Sequence, residues 1–362
     1  MPSFNRRQLP AALLCAAVSL GAFSCGGASS SPAPGDGPPP PSGRTTGPPL
    51  IGTNTKQSCA YSSHSVKKLT DFDRLVGRNT QCVIVFNNVS KNWRSWENPW
   101  FLGLKDPDHN WANWATTPNT DRQLVITQNM IPSGLNKTNW RQAGARGAFV
   151  QHAKRLAQNL VAAGLGDSVI RLGHEANGVW TNDNIGKTSR DFDMWRKYWR
   201  KIVLAMRSVP GAAFKFDWCV NAGVRPIPLK YFYPGSDVVD IVGIDAYDAG
   251  IKDVGPGRKR WKVIYNRPLG IREVLRFARA HHKPLSFPEW GLAAPAKATL
   301  TAGDDPAYVN GIARVVRHRR VAYQAYFYAH EYAPGLAKSS KSLRAYRMRF
   351  GQAGDSAAPT SP

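Results

Sequence analysis

A closed (β/α)8 TIM barrel, α/β in class and forming a single catalytic domain, is the fold the sequence predicts. Three observations predict it. Short apolar runs alternate with helix-period segments from residue 50 to residue 352, as in folds built from repeated strand–helix units. Most of the apolar runs are rich in Val, Ile and Phe without strict alternation, which suits parallel strands covered on both faces. No glycine-rich turn follows the first strand. That disfavours the alternative, an open doubly wound sheet around a dinucleotide.

The strand-like runs are 82–86, 124–127, 168–172, 213–219, 238–244, 284–287 and 321–328, preceded by a first strand near Ile51 or Cys59. Between them lie apolar stripes at helical spacing. Val66, Leu69, Phe72 and Leu75 form the first, and Phe149, Ala153, Leu156 and Leu160 form another. Trp195, Trp199, Ile202 and Met206 follow Thr188 and Asp191, a capping-box spacing, and Ile271, Val274, Leu275 and Ala278 make a later stripe.

The ends of the chain read differently. Residues 1–25 resemble an export signal, with Arg6 and Arg7 ahead of an apolar stretch too short to remain as a membrane anchor. Cys25 stands where a lipobox cysteine would, so lipid anchoring and plain secretion are both open. The expected location is outside the cell, or on the outer face of a bacterial cell membrane. Residues 26–49 are a Pro/Gly/Ser-rich linker, residues 50–352 the catalytic domain and residues 353–362 a disordered tail. Of the five cysteines, Cys15 and Cys25 belong to the leader. Cys59 and Cys82 would lie on neighbouring strands and are the best disulfide pair, with two independent buried thiols the alternative. No cysteine spacing suits a metal, and neither metal nor organic cofactor is expected.

The formal charge of +24, from 48 basic and 24 acidic residues, raises nucleic-acid binding. The basic residues are scattered in sequence, with one long run at Arg317, His318, Arg319 and Arg320. A solvated, arginine-rich surface is the reading adopted, with anionic wall polymers as its natural counterpart outside a cell. No nucleic-acid partner is expected, and the chain is expected to act as a monomer.

In a barrel of this kind the active site lies at the C-terminal ends of the strands. Two glutamates fall there. Glu175 follows the fourth strand in the stretch Arg171-Leu172-Gly173-His174-Glu175-Ala176-Asn177-Gly178, and Glu289 follows the seventh in Pro288-Glu289-Trp290-Gly291. Two carboxyl groups flanking one bond are what glycoside cleavage requires: one protonates the leaving oxygen, and the other attacks the sugar carbon or activates water. A lone strand-end glutamate is more often a cap or an ion-pair partner. Two of them beside aromatic, glycine and histidine residues are harder to dismiss. Tryptophans 93, 96, 100, 111 and 114 cluster after the second strand and can both stack on sugars and pack a helix on the barrel.

These motifs resemble glycoside hydrolase family 26, of the retaining (β/α)8 clan. The residues that carry the resemblance are Arg171, His174, Glu175, Asn177, Gly178 and Trp180, then Glu289-Trp290-Gly291, with the sixth-strand segment ending in Asp245-Ala246-Tyr247-Asp248. The resemblance implies that Glu175 is the acid/base and Glu289 the nucleophile, with Tyr247 in contact with the nucleophile. It implies a polysaccharide partner, by default a β-1,4-mannan, with xylan, β-glucan and wall arabinan or galactan as alternatives. A non-catalytic carbohydrate-binding barrel is the contrasting reading. Sugar contacts are expected from His174, Arg171, Asn177, Trp180, Trp218, Tyr247 and Trp290; Arg171 is also read as a buried charge partner and His174 as a core histidine. The chain departs from the family where a tryptophan commonly ends the eighth strand: here the run is Tyr323-Gln324-Ala325-Tyr326-Phe327-Tyr328.

Overall fold

The computed structural model describes residues 57–87, 91–293, 302–330 and 332–351. The export signal with Cys15 and Cys25, the linker, Ile51 and the C-terminal tail lie outside the described residues. The chain begins with β1 (Gln57–Tyr61), α1 (Val66–Val76) and β2 (Cys82–Asn87), then two short helices, α2 (Trp93–Glu97) and α3 (Trp111–Ala115). Next come β3 (Gln123–Gln128), α4 (Trp140–Arg146), α5 (Val150–Ala162), β4 (Val169–Leu172), α6 (Ser189–Arg207), β5 (Lys215–Asn221) and β6 (Ile241–Asp248). The chain closes with α7 (Arg258–Asn266), α8 (Ile271–Ala280), β7 (Leu285–Leu292), α9 (Pro306–His318), β8 (Val321–Phe327), α10 (Tyr332–Ala337) and α11 (Ser340–Phe350). The eight strands pair in sequence order, all parallel, and β8 returns to β1 to close the barrel.

Because successive side chains of a strand point to opposite faces, each strand feeds two cores. Cys59, Ile84, Phe86, Val125, Val169 and Tyr323 fill the barrel interior. Their neighbours Val83, Val85, Leu124, Ile170, Phe216 and Trp218 face the helices. The helices meet them with the apolar stripes read from sequence. On α6, for example, Trp195, Trp199, Ile202 and Met206 are buried, and Thr188 and Asp191 form the capping box. The clustered tryptophans serve mostly this outer layer. Trp96, Trp111 and Trp114 are buried, with Trp96 Nε1 donating to the Asn129 carbonyl and Trp111 Nε1 to that of His64.

Three boundaries differ from expectation. The fifth and sixth strands start later than the apolar runs, because Phe214, Val238 and Val239 are buried against the outer layer before ladder pairing begins. The β5–β6 connection holds a 3-10 turn at Leu229–Tyr231 in place of an α-helix, in a segment whose Pro226, Pro228 and Pro234 lack the donors a helix needs. The seventh strand runs through Pro288. Its pairing slips by one residue against both neighbours, between Ser286 and Trp290 on the β6 side and between Phe287 and Trp290 on the β8 side. A bulge of this kind accommodates a proline inside a sheet and switches which face later side chains reach.

Cys59 and Cys82 form a disulfide between β1 and β2, and Cys219 is a buried free thiol. Since the bridge closes a loop of sequence separation 23, its loss should cost about 3 kcal/mol through the unfolded chain's regained entropy. Denaturant unfolding of C59S/C82S, compared with the native sequence, should show a loss of that order with unchanged far-ultraviolet ellipticity.

Candidate active site

Four strands build the site. On β4, Arg171 points into the barrel and is fully buried. Its Nη1 donates to Glu289 Oε1 at 2.6 Å and to Thr127 Oγ1 on β3 at 3.3 Å. Its Nη2 donates to Asp245 Oδ2 on β6 and reaches Cys219 Sγ on β5. On β7 the bulge turns Glu289 inward. Ser286 also faces inward, where its hydroxyl donates to Asp217, so without the extra residue the inward face would pass to Pro288 and Trp290. The second oxygen of Glu289, Oε2, accepts from the Tyr247 hydroxyl at 2.6 Å. Burial, added to by the Glu289 charge, raises the Tyr247 hydroxyl well above its ordinary range, so it remains a donor.

Glu175 sits three residues beyond β4 with φ at +48°, in the left-handed region that non-glycine residues adopt at a cost. A tight turn holds it there, the Gly178 N–H donating to the Glu175 carbonyl at 2.7 Å. Gly178 also gives Trp180 room to fold back, since a Cβ at that position would lie 2.7 Å from the indole. Trp180 Nε1 then donates to Glu175 Oε2, and Asn221 Nδ2, at the end of β5, donates to Oε1. Burial, then the nearby Glu289 charge, pushes Glu175 up to about 7, against the opposing pull of Asn221, Arg171 and Trp180. Both glutamates are nearly enclosed, at 7% and 5% exposure.

The other expected site residues divide. Tyr247 and Trp180 touch the two glutamates as described. His174 lies beside Phe86 with its ring centroid 5.7 Å away, and burial with the Arg171 charge holds it well below the usual imidazole range, so it is neutral. Arg171 does not reach a substrate position: it lies beneath the carboxylates as their counter-charge. Asn177 is also fully buried, its amide donating to the carbonyls of Asn221 and Val224 and accepting the Asn221 N–H at 2.8 Å. It fixes the strand ends and does not face sugar. Trp218 and Trp290 are turned outward, each with no exposure. Trp218 packs on Phe232, Tyr233 and Phe277, and Trp290 on Tyr326 and Tyr346. As neighbours of inward-facing Asp217, Cys219 and Glu289, they had to take the other face of their strands.

Sequence reading missed Asn221, and it quoted Asp245 in the sixth-strand motif without giving it a role. Asn221 shares its parity with Asp217 and Cys219, which was the available signal. It also missed the aromatic wall at the mouth, where Tyr247 meets Tyr332 at 4.4 Å and Phe327 at 6.0 Å, and Phe327 meets Tyr61 at 4.5 Å. This wall, from β1, β6, β8 and α10, occupies the region where the eighth strand lacks its tryptophan. Glu175, Asp245 and Glu289 each bring a carboxylate oxygen within 4.8 Å of the others, a spacing a cation could bridge. The Arg171 guanidinium already lies against two of the three, and its charge opposes a metal ion there.

Two consequences can be measured. Arg171→Met leaves Asp245 and Glu289 buried without their cation and should cost about 3–5 kcal/mol in denaturant unfolding; adding Asp245→Asn should recover part of that loss. Glu175 binds its proton more tightly when folded, its pKa rising from 4.5 to about 7. Its contribution to stability is therefore complete below pH 4.5 and lost as pH rises through about 7. Between those limits the stability of Glu175→Gln should fall less steeply with pH than that of the native protein, and parallel slopes would reject the shift.

Residues 86–266 match Glycosyl hydrolase family 26. No curated protein matches the chain in sequence. Among solved structures, a Bacillus subtilis mannanase is similar at a TM-score of 0.55 and 17% identity, over 86% of this chain and 92% of that one. A Cellulomonas fimi endo-beta-1,4-mannanase double mutant is similar at 0.55 and 16%, over 81% of this chain and 72% of that one. The catalytic domain of a Bacillus sp. JAMB-750 endo-beta-1,4-mannanase is similar at 0.56 and 15%, over 83% and 87% respectively. At such identity the likeness is one of fold, but the family match runs from the end of β2 through α7 and includes the Glu175 motif: the chain belongs to glycosyl hydrolase family 26.

Proposed function

We propose that the protein is a retaining, internally cutting glycosidase of a polysaccharide backbone, with β-1,4-mannan the first substrate to test. The observation that carries this reading is the carboxyl pair. One oxygen of Glu175 and one of Glu289 lie within 4.8 Å of each other, a close approach in keeping with a retaining pair, whose carboxyl groups stand ~5–5.5 Å apart. Their surroundings are unequal in the required sense. Glu289 has both oxygens occupied by donors, Arg171 and Tyr247, one of them cationic. Glu175 is suited to carry a proton near neutral pH.

In the first step Glu289 attacks the anomeric carbon while Glu175 passes its proton to the departing glycosidic oxygen, leaving a glycosyl ester on Glu289. In the second, Glu175, now a carboxylate, takes a proton from water as that water attacks the same carbon and releases Glu289. Trp180 bonds to Glu175 and is half-buried, so it is placed to touch sugar beyond the scissile bond. The similar structures that are described as mannanases support mannan as the first choice. The Cys59–Cys82 disulfide supports an exported, oxidising setting, and attachment through Cys25 is proposed alongside free secretion.

The test is a product assay on mannan, xylan, β-glucan, arabinan and galactan. Glu289→Ala should abolish turnover on whichever is cut, and undiminished activity would reject its role as nucleophile. Glu175→Ala should lose about 10²–10⁴-fold on the polysaccharide and far less on an aryl glycoside whose leaving group needs no proton. Nuclear magnetic resonance of the first-formed product should show the substrate's own anomeric configuration, and the opposite anomer would reject retention.

A further inference from the structure

Six basic residues scattered in the sequence line one groove on a flank of the barrel, away from the cleft. A groove of about 850 Å³ runs along α7, α9 and the end of α11. Arg258, Lys262, Arg314, Arg317, His318 and Arg349 line it, and no acidic side chain does so among the described residues. A smaller cavity of about 250 Å³ continues it toward Arg78, sharing Arg317 and Arg349. The thirteen-residue α9 gives the groove a length of about 20 Å.

The sequence places like charges together on purpose-suited faces. Arg258 and Lys262 stand four apart on α7, and Arg314 lines the same groove from α9. Such pairs repel along a helix unless an anion lies between them. On α6 several basic residues have acidic partners: Lys197 meets Asp193 at 2.8 Å, Arg200 meets Asp237 at 2.7 Å and Arg207 meets Asp240 at 2.8 Å. In the groove, Arg349 Nε is held by Asn310 Oδ1 at 2.8 Å, which orients a planar fork of the kind suited to a carboxylate or phosphate. The floor is aromatic. Trp261 lies flat on Gly311, where a Cβ would meet the indole at 2.3 Å, and the ring is half-buried.

We propose that this groove is a second carbohydrate site, which takes an acidic polysaccharide bearing repeated carboxylate or phosphate groups. The anionic groups bind the arginines along α7 and α9, and a sugar face rests on Trp261. A single-stranded nucleic acid would call for successive stacking rings, and the groove offers one. The site would hold the enzyme against an anionic matrix while the cleft works on a separate chain.

This inference rests on the glycosidase reading for its choice of glycan, so binding is measured in a Glu289→Gln background that does not depend on turnover. Titration calorimetry at about 50 mM salt, where screening is weak, would use polygalacturonate, poly(glycerol phosphate), neutral mannan and an oligothymidylate. We expect one or both anionic polymers to bind, and R258E/R314E/R349E to weaken that binding at least about tenfold through lost charge contacts. The control R190E/R276E/R279E, of identical net charge, should weaken it less than about threefold. Trp261→Ala should weaken polygalacturonate with charge unchanged. With Glu289 restored, R258E/R314E/R349E should cut a neutral substrate at the native rate. Equal losses in the two triple variants would reduce the groove to general charge and overturn the proposal. So would the absence of binding to either anionic polymer, or an oligothymidylate that binds more tightly at the same groove than either of them.

Discussion

The site depends on one buried cation. Arg171 lies inside the barrel with no solvent exposure, and three carboxyl groups, Glu175, Asp245 and Glu289, surround the same small volume. A guanidinium there loses its hydration, a cost that only close, well-directed carboxylates offset. Asp245 and Glu289 take its two terminal nitrogens. Glu175 receives none of its donors and is held by the neutral groups Asn221 and Trp180. Burial raises both Asp245 and Glu175 above the ordinary carboxylate range, and Arg171 opposes the rise at each. The unequal surroundings of the two glutamates, cationic at Glu289 and neutral at Glu175, follow from where one guanidinium lies rather than from any difference between the two side chains.

Arg171 can act in this way only because the strands deliver their side chains at matched heights and to the inner face. On β4, β5 and β6 this follows from simple alternation: Val169 and Arg171, Asp217 and Cys219, Gly243 and Asp245 all share the interior. On β7 alternation alone would send Glu289 outward. The extra residue around Pro288 reverses the parity between Ser286 and Glu289. Proline, which could be read as the end of the strand, is the device that puts Glu289 in the barrel.

This explains which parts of the protein were legible. The barrel could be read because buried parallel strands and helical stripes leave local patterns, and both glutamates because strand ends and short motifs are local as well. Trp218 and Trp290 were misplaced because nearness to a glutamate in sequence was taken for nearness in space. Within a strand it means the reverse, since adjacent residues face opposite layers. Asn177 was assigned to sugar because a polar residue in a motif gives no sign of its depth, and of the two readings of Arg171 the buried charge partner is the one its burial supports. The roles of Asn221 and Asp245 went unread because they depend on pairings across β4, β5, β6 and β7 that no single segment records.

The same distinction bears on the surface. In sequence the basic residues look evenly spread, and charge alone cannot separate a solvated surface from a binding site. Folding sorts them. Those on α6 find aspartates, while Arg258, Lys262 and Arg314 converge on a groove lined by no acid among the described residues. A groove that gathers cations beside an aromatic floor, with no acid lining it among the described residues, is a place where an outside anion can bind. In the barrel interior a single cation is outnumbered by carboxyls and one of them must hold a proton. On the flank the imbalance runs the other way, and an anion from outside the chain can relieve it.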